Sequence, residues 1–451
     1  MLTQISWSLI ILSIAFTSLY HTFLIASYRR SSSANSPNID IIDGENIKML
    51  SIIIPSKNEP LDVVIESFKN LINLINKEMG FKPIYIFDDD LNYIYRLIES
   101  VEAVPGVVIL RSNLSGRNSA INDGVKFSYE DNIMMLDIDC KIDEEIIRYA
   151  KKCDDVCVFP WRPYVKYNTF IEQTMDFMTS YGTWIYYIVR NANNLHIFPL
   201  GSGTVYNREL FMKIGMLPNN IIQDDIYLGL KLLENGITPK LINRNIYVTV
   251  PSTLEAARIQ QCRWAYGAIQ LLRLFKFKSF VKSPYTYKKK MEAFTYIFQP
   301  FLTLFYTIGI AIAFLAGLVE KSIYLAIMTP FLIFFVLPLF FEVMNFVLFV
   351  RDTNYSNIKR ALFLIGRTSA LTNLLVIFES LYVIGAILNI KIPYRITPKS
   401  LIRKGIDLAI LISLVLGITL TFISLYTCNR GVVLIGMMQI LTAVYSIIRF
   451  K

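Results

Sequence analysis

Three clusters in this chain combine residue types able to hold a metal ion, take a proton and grip an anion. Asp137-Ile138-Asp139 directly follows an apolar run, Ile133–Leu136. Its two carboxylates are hard oxygen ligands for Mg²⁺ or Mn²⁺, which would also take the oxygens of a leaving diphosphate. Asp224-Asp225 comes next. A carboxylate crowded by another has its proton affinity raised, which suits a general base for a sugar hydroxyl. Gln260-Gln261-Cys262-Arg263-Trp264 completes the series with a guanidinium fork for a diphosphate, an indole face for a sugar ring and an amide for hydroxyls. Each cluster also has a plainer reading: a solvated turn, a helix cap, or an interfacial helix with its Trp at headgroup level. Taken in order, they describe metal-dependent transfer from a nucleotide-sugar beside a membrane.

Elements that would hold these residues can be traced upstream. Met49–Pro55, Pro83–Phe87, Val107–Leu110, Ile133–Leu136 and Val156–Phe159 are short β-rich runs with helical patterns between them. That alternation predicts a mostly parallel α/β sheet, in which ligands bind beyond the carboxyl ends of the strands. Asp88-Asp89-Asp90 fall at one such end, where a carboxylate can accept from a base or ribose, and Asp88 is the favoured one. Asp225 through Gly236 reads as a helix ended by its glycine.

The remaining sequence is of another kind. Of 451 residues, 54% are hydrophobic, too many for an ordinary soluble enzyme, yet residues 49–260 carry normal charge. Uncharged runs at 2–26, 293–319, 322–341, 408–429 and 431–448 are long enough to span a bilayer. The first is followed by Arg29-Arg30 rather than preceded by charge, which predicts an uncleaved anchor with its N-terminus outside. Residues 368–390 are apolar apart from Glu379. If they spanned, Lys391, Arg395, Lys399, Arg403 and Lys404 would lie outside, against the positive-inside tendency. Five spans and an interfacial or re-entrant segment are therefore expected. The net charge of +10 gathers beside these segments, where it suits anionic lipid headgroups, and no basic stripe interleaved with aromatics marks the catalytic part for nucleic acid. The five cysteines show no paired framework and are expected to be reduced, structural thiols.

With these motifs in this order, the chain resembles the membrane-integrated family 2 glycosyltransferases, the group that includes cellulose, hyaluronan and chitin synthases. The likeness runs from about Ser51 to Lys399. Ser51-Ile-Ile-Ile-Pro55 with Asn58-Glu59 is similar to the family's opening strand and nucleotide loop, and Asp88-Asp89 to its first acidic site. Gly116-Arg117-Asn118-Ser119-Ala120-Ile121-Asn122 resembles a GK-x-x-A-L-N segment, with Arg117 for Lys. Phe198-Pro199-Leu200-Gly201-Ser202-Gly203 resembles an acceptor-site FFCGS without its Cys, and Tyr394-Arg395-Ile396-Thr397-Pro398-Lys399 an FxVTxK gating loop.

The resemblance implies a GT-A-type, Rossmann-like α/β domain set between an N-terminal anchor and a helical membrane bundle. It assigns catalysis to Asp225 with Asp224, and the metal to Asp137 and Asp139. Nucleotide-sugar and diphosphate contacts fall to Pro55, Glu59, Asp88, Asp89, Arg117, Gln260, Arg263, Trp264, Thr397 and Lys399, and acceptor contacts to Gly201, Ser202 and Trp264. The expected boundaries are 1–30 anchor, 31–48 linker, 49–253 cytoplasmic catalytic domain and 254–290 interfacial helix. Two spans follow in 291–350, the interfacial segment and gating-type loop in 351–404, and two spans in 405–451. The implied activity is inverting transfer from a nucleotide-sugar, UDP-linked by resemblance, to a growing polysaccharide exported through the bundle. The alternative is single transfer to a lipid acceptor, ceramide or polyprenyl phosphate. A degenerate scaffold or transporter is disfavoured because every catalytic position keeps a competent residue type.

Overall fold

A computed structural model describes residues 1–32, 47–111, 116–274, 281, 283–321, 325–392, 397–399 and 405–450. The expected Tyr394–Ile396, Arg403, Lys404 and most of the 31–48 linker lie outside the described residues.

All five expected strands are present: β1 (Leu50–Ser56), β2 (Phe81–Phe87), β3 (Val107–Leu110), β4 (Asn132–Met135) and β5 (Val156–Val158). They join β7 (Thr204–Asn207) and β8 (Lys240–Leu241) in one sheet of order β3-β2-β1-β4-β7-β5-β8, while β6 (Trp161–Tyr164) pairs separately with β9 (Ile246–Thr249). β1 is central and almost wholly buried, which explains its unbroken apolar run. One face of the sheet is covered by α2 (Leu61–Ile75), α3 (Leu91–Glu99) and α5 (Glu144–Lys151). The other carries α4 (Arg117–Phe127), α8 (Arg208–Lys213) and α9 (Asp224–Glu234).

The sheet is mixed, not simply parallel: β7 runs antiparallel to both β4 and β5. That reversal matters for the site. Thr204 pairs with Met135 and with Val158, so Gly201 and Ser202, just before β7, reach the rim that carries Asp137. Gly203 makes the turn at φ +90°, and a Cβ there would fall 2.4 Å from the Ile246 side chain, so glycine is required on both counts.

Cys153 and Cys157 form a disulfide, which corrects the expectation of reduced thiols for this pair. The turn from α5 into β5 folds back on itself, bringing their Cα atoms to 6.0 Å. Cys140, Cys262 and Cys428 are free.

From the sheet's edge, α6 (Phe170–Thr183) runs into a π-helical turn, Trp184–Val189, and the short α7 (Arg190–Ala192). The outer elements are α1 (Leu2–Ser32), α10 (Leu254–Leu274), α11 (Tyr287–Phe298), α12 (Leu302–Val319), α13 (Leu325–Thr353), α14 (Ile358–Ile387), α15 (Leu408–Tyr426) and α16 (Arg430–Arg449). Among the described residues six segments are long and apolar enough to cross a membrane, Ile358–Ile387 included. α14 touches the catalytic part at two places: Arg367, in its third turn, donates to Gln173 of α6 (2.8 Å), and Tyr266 of α10 donates to the Ile390 carbonyl just past its C-terminus (3.0 Å).

A buried ion pair joins anchor to catalytic part. Arg190 is fully buried and donates to Glu292 (2.8 Å), which also accepts from Tyr20 of α1 (2.5 Å). Its guanidinium lies over Tyr296 and Phe198, 4.5 and 5.2 Å from their ring centres. Phe198 in turn fills the space a Cβ at Gly229 of α9 would need, 2.2 Å away.

Candidate active site

The carboxyl ends of β1, β2 and β4, the start of α9, the face of α10 and Thr397–Lys399 enclose one cavity of about 1320 Å³. Pro55, Glu59, Asp88, Arg117, Asp137, Asp139, Gly201, Ser202, Asp224, Asp225, Gln260, Arg263, Trp264, Thr397 and Lys399 all line it. Asp89 does not: it turns away to accept the Asn58 amide (2.5 Å) and shapes the loop.

Two cations organise the carboxylates. Arg117, at the first turn of α4, donates to Asp137 (2.9 Å), to Asp224 and to the Gly201 carbonyl (2.6 Å). The resemblance gives it to the diphosphate, yet in this structure it ties three loops together. Lys399 sits 2.8 Å from Glu59 and 3.2 Å from Asp139, whose other oxygen accepts from the Thr249 hydroxyl. Burial pushes the Asp139 carboxyl up, but Lys399 and Thr249 outweigh it and hold it below the usual range. At Glu59 burial wins, and its carboxyl is raised despite Lys399.

Asp225 is left without such compensation. Burial and then the neighbouring Asp224 push its carboxyl up to about 7, with the Ile226 amide and Arg117 acting in the opposite sense. A carboxylate poised there at the mouth of α9 can take a proton near neutral pH.

Among the described residues, several buried oxygens facing this region have no protein partner: Glu59 Oε2, Asp88 Oδ1, Gln223 Oε1 and Gln260 Oε1. Buried acceptors are normally satisfied, so these fit the hydroxyls and N–H groups of a sugar-nucleotide. Asp88 is steadied for this by Arg111 (3.4 Å) and Lys57 (3.9 Å).

Asp137 and Asp139 supply the hard oxygen donors a divalent ion prefers, on a cavity wall, and so fit Mg²⁺ or Mn²⁺. Among the described residues no group of three or more His, Cys, Asp or Glu could hold an ion. Diphosphate oxygens and water could complete its shell.

Ser202 accepts the Asp137 amide (2.9 Å), donates to Cys140 Sγ (3.2 Å) and receives the Trp161 indole at its carbonyl (2.8 Å), so it braces the Asp137 turn. Trp161 is the residue sequence reasoning missed. It lines the cavity beside Trp264, ring centres 6.5 Å apart. A bulky aromatic just past the carboxyl end of the β5 run was the available signal. Arg263 reaches Thr397 Oγ1 at 3.5 Å.

Residues 133–347 match the model of Glycosyl transferase family group 2. A "probable glycosyltransferase" of Sulfolobus acidocaldarius is 26% identical over 400 residues, 85% of this chain and 84% of that one. The protein is a glycosyltransferase. A UDP-forming cellulose synthase of Dictyostelium discoideum is 28% identical in its catalytic chain over 115 residues, 25% of this enzyme and 11% of that protein. Among solved structures, the mannosyltransferase PcManGT of Pyrobaculum calidifontis, in complex with GDP-Man and Mn²⁺, aligns with a TM-score of 0.53 and 12% identity. The alignment covers 87% of this enzyme and all of that chain. That likeness concerns the fold: a GT-A-type mixed sheet flanked by apolar helices.

Proposed function

We propose that this enzyme transfers a sugar, with inversion, from a nucleoside-diphosphate sugar to a hydroxyl of a membrane-held glycan acceptor at the cytoplasmic face. The observation that carries this is Asp225, a base poised near neutrality in the cavity that gathers Asp88, Asp137, Asp139 and the Gln260–Trp264 face. The acceptor oxygen attacks the anomeric carbon, the bond from that carbon to the diphosphate oxygen breaks, and the diphosphate leaves with the electron pair. Asp225 takes the acceptor's proton. Asp88 and Glu59 orient the nucleotide, Arg263 holds the diphosphate, and Trp264 and Trp161 offer flat faces to the acceptor sugar. A divalent ion held by Asp137 and Asp139 would neutralise the leaving diphosphate. The Mn²⁺ bound by the mannosyltransferase of like fold supports that.

Topology follows from α14. Its contacts with Gln173 from its third turn and with Tyr266 just past its C-terminus support a helix lying along the membrane face rather than across it, with five helices spanning.

The acceptor has two readings. The short likeness to cellulose synthase supports a growing polysaccharide. The cavity's walls support a lipid-linked acceptor. Among the described residues none of α1, α12, α13, α15 or α16 lines it, whereas it continues along α10 from Gln260 to Arg273, about 20 Å. There Arg273 and Lys391 meet Leu274 and Ile392, cations beside apolar side chains, as a lipid phosphate needs. Purified enzyme given labelled UDP-, GDP- and dTDP-sugars with either polyprenyl phosphate-linked or free glycans tests both. One added sugar on lipid supports the second reading, long products the first, and no transfer from any donor refutes the proposal.

A further inference from the structure

Lys399 reaches two carboxylates of the site at once. Its ammonium is within 3.2 Å of Asp139 Oδ1 and 2.8 Å of Glu59 Oε1, with its side chain only 17% exposed. Arg117 holds Asp137 in the same way, at 2.9 Å. Each proposed metal carboxylate thus already has a cation of the chain's own. The two arrangements differ, however. Arg117 engages Oδ1 of Asp137, whose side chain is 40% exposed, and its other bonds to Asp224 and Gly201 fix it in place. Asp139 has both oxygens engaged: Thr249 donates to Oδ2, Lys399 pairs with Oδ1, and its side chain is 16% exposed.

We propose that Lys399 is the site's own counter-cation, holding Asp139 and Glu59 while no divalent ion is bound and having to leave Asp139 before one can bind. An ion such as Mg²⁺ held by Asp139 would approach its oxygen to about 2.0–2.1 Å. An ammonium hydrogen-bonded to that same oxygen would be crowded against the ion, and two positive charges so close repel strongly where water is scarce. Lysine suits the exchange because its charge is a point on a flexible stem able to swing from a carboxylate to a phosphate. The vacated charge has an obvious destination, since the incoming diphosphate brings negative oxygens into the same cavity. Lys399 therefore weakens binding of the bare ion and favours binding of ion and nucleotide together, which keeps the site from filling with metal alone.

This rests on the reading of Asp137 and Asp139 as the metal carboxylates, and its test does not need sugar transfer. Mn²⁺ affinity of the full-length protein in detergent is measured by electron paramagnetic resonance, first without nucleotide and then with UDP. Lys399→Gln should bind bare Mn²⁺ at least tenfold more tightly than wild type, while Lys399→Arg stays near wild type. With UDP present the Gln variant should lose most of that advantage. Equal or weaker bare Mn²⁺ binding by Lys399→Gln overturns the proposal. Should that variant fail to fold, wild type still decides the matter. Trypsin cleavage after Lys399, followed by mass spectrometry, should speed up on adding Mn²⁺ alone, and Mn²⁺-independent cleavage also overturns it. Failure of every sugar donor alongside tightened Mn²⁺ binding would remove the transfer reading and leave this one standing.

Discussion

Asp225→Asn removes the proton acceptor while preserving size and most hydrogen bonding, so it isolates the base. General-base catalysis contributes roughly 10²–10⁴-fold, and turnover should fall by that factor with nucleotide affinity unchanged. A second, opposite effect follows from the same environment. The Asp225 carboxyl titrates from 3.8 in the unfolded chain to about 7 in the fold, so between those values the folded state holds the extra proton. Stability therefore declines as pH rises through that window, and above about 7 the full cost is present. At about 1.36 kcal/mol per unit this is at most about 4 kcal/mol. Asparagine carries no such charge, so the variant should gain stability over wild type at pH 8 and show little gain at pH 4.5. The rate has the complementary profile, with wild-type turnover rising about tenfold per unit below pH 7 and levelling above it. Thermal unfolding at both pH values and a pH–rate series on purified protein measure this. Near-normal turnover in the variant, or an equal difference in unfolding temperature at both pH values, would refute the assignment.

Asp139→Ala should abolish turnover and weaken Mn²⁺-dependent UDP binding, read by titration calorimetry, because a hard oxygen ligand is lost. Arg117→Met removes a cation that lowers the Asp225 pKa, so any residual activity should have its midpoint shifted to higher pH. Gly229→Ala places a methyl against Phe198, itself pinned under Arg190, and should cost about 1–3 kcal/mol by thermal or denaturant unfolding. Accessibility reporters at Ser356 and Lys391 should read the same side of the membrane, with Lys321 and Arg430 on the other; opposite readings for the first two would make α14 a span.

Local patterns carry most of this fold. Four of the five strands are visible in the sequence because their apolar runs lie inside the sheet, while the edge strand β3 shows through its β-branched run alone; the carboxylates are visible because they follow strand ends. β7 is not, since a four-residue strand, Thr204–Asn207, reversed by a turn at Gly203, has no periodicity of its own. Asp88 and Asp89 look alike in sequence, although adjacent side chains leave a strand end in different directions and only Asp88 meets the cavity. Arg117's grip on Asp137 and Asp224 joins residues 20 and 107 positions apart, which no local window contains. The Cys153–Cys157 bond is hidden because a separation of 4 looks like neither a disulfide framework nor a metal site until the turn folds it shut.

The Arg190 knot has a mechanical meaning. Tyr20 belongs to α1, Glu292 and Tyr296 to α11, Phe198 to the loop before β7, and Gly229 lies one helical turn beyond Asp225. These groups touch in series and none has room to slide, because the arginine is sealed in and the phenylalanine is wedged against a backbone. A tilt of α1 should therefore be felt at Asp225 as a displacement. An enzyme built this way should register bilayer thickness and lateral pressure as turnover more than as substrate affinity, and detergent should be a mechanical as well as a chemical change of solvent.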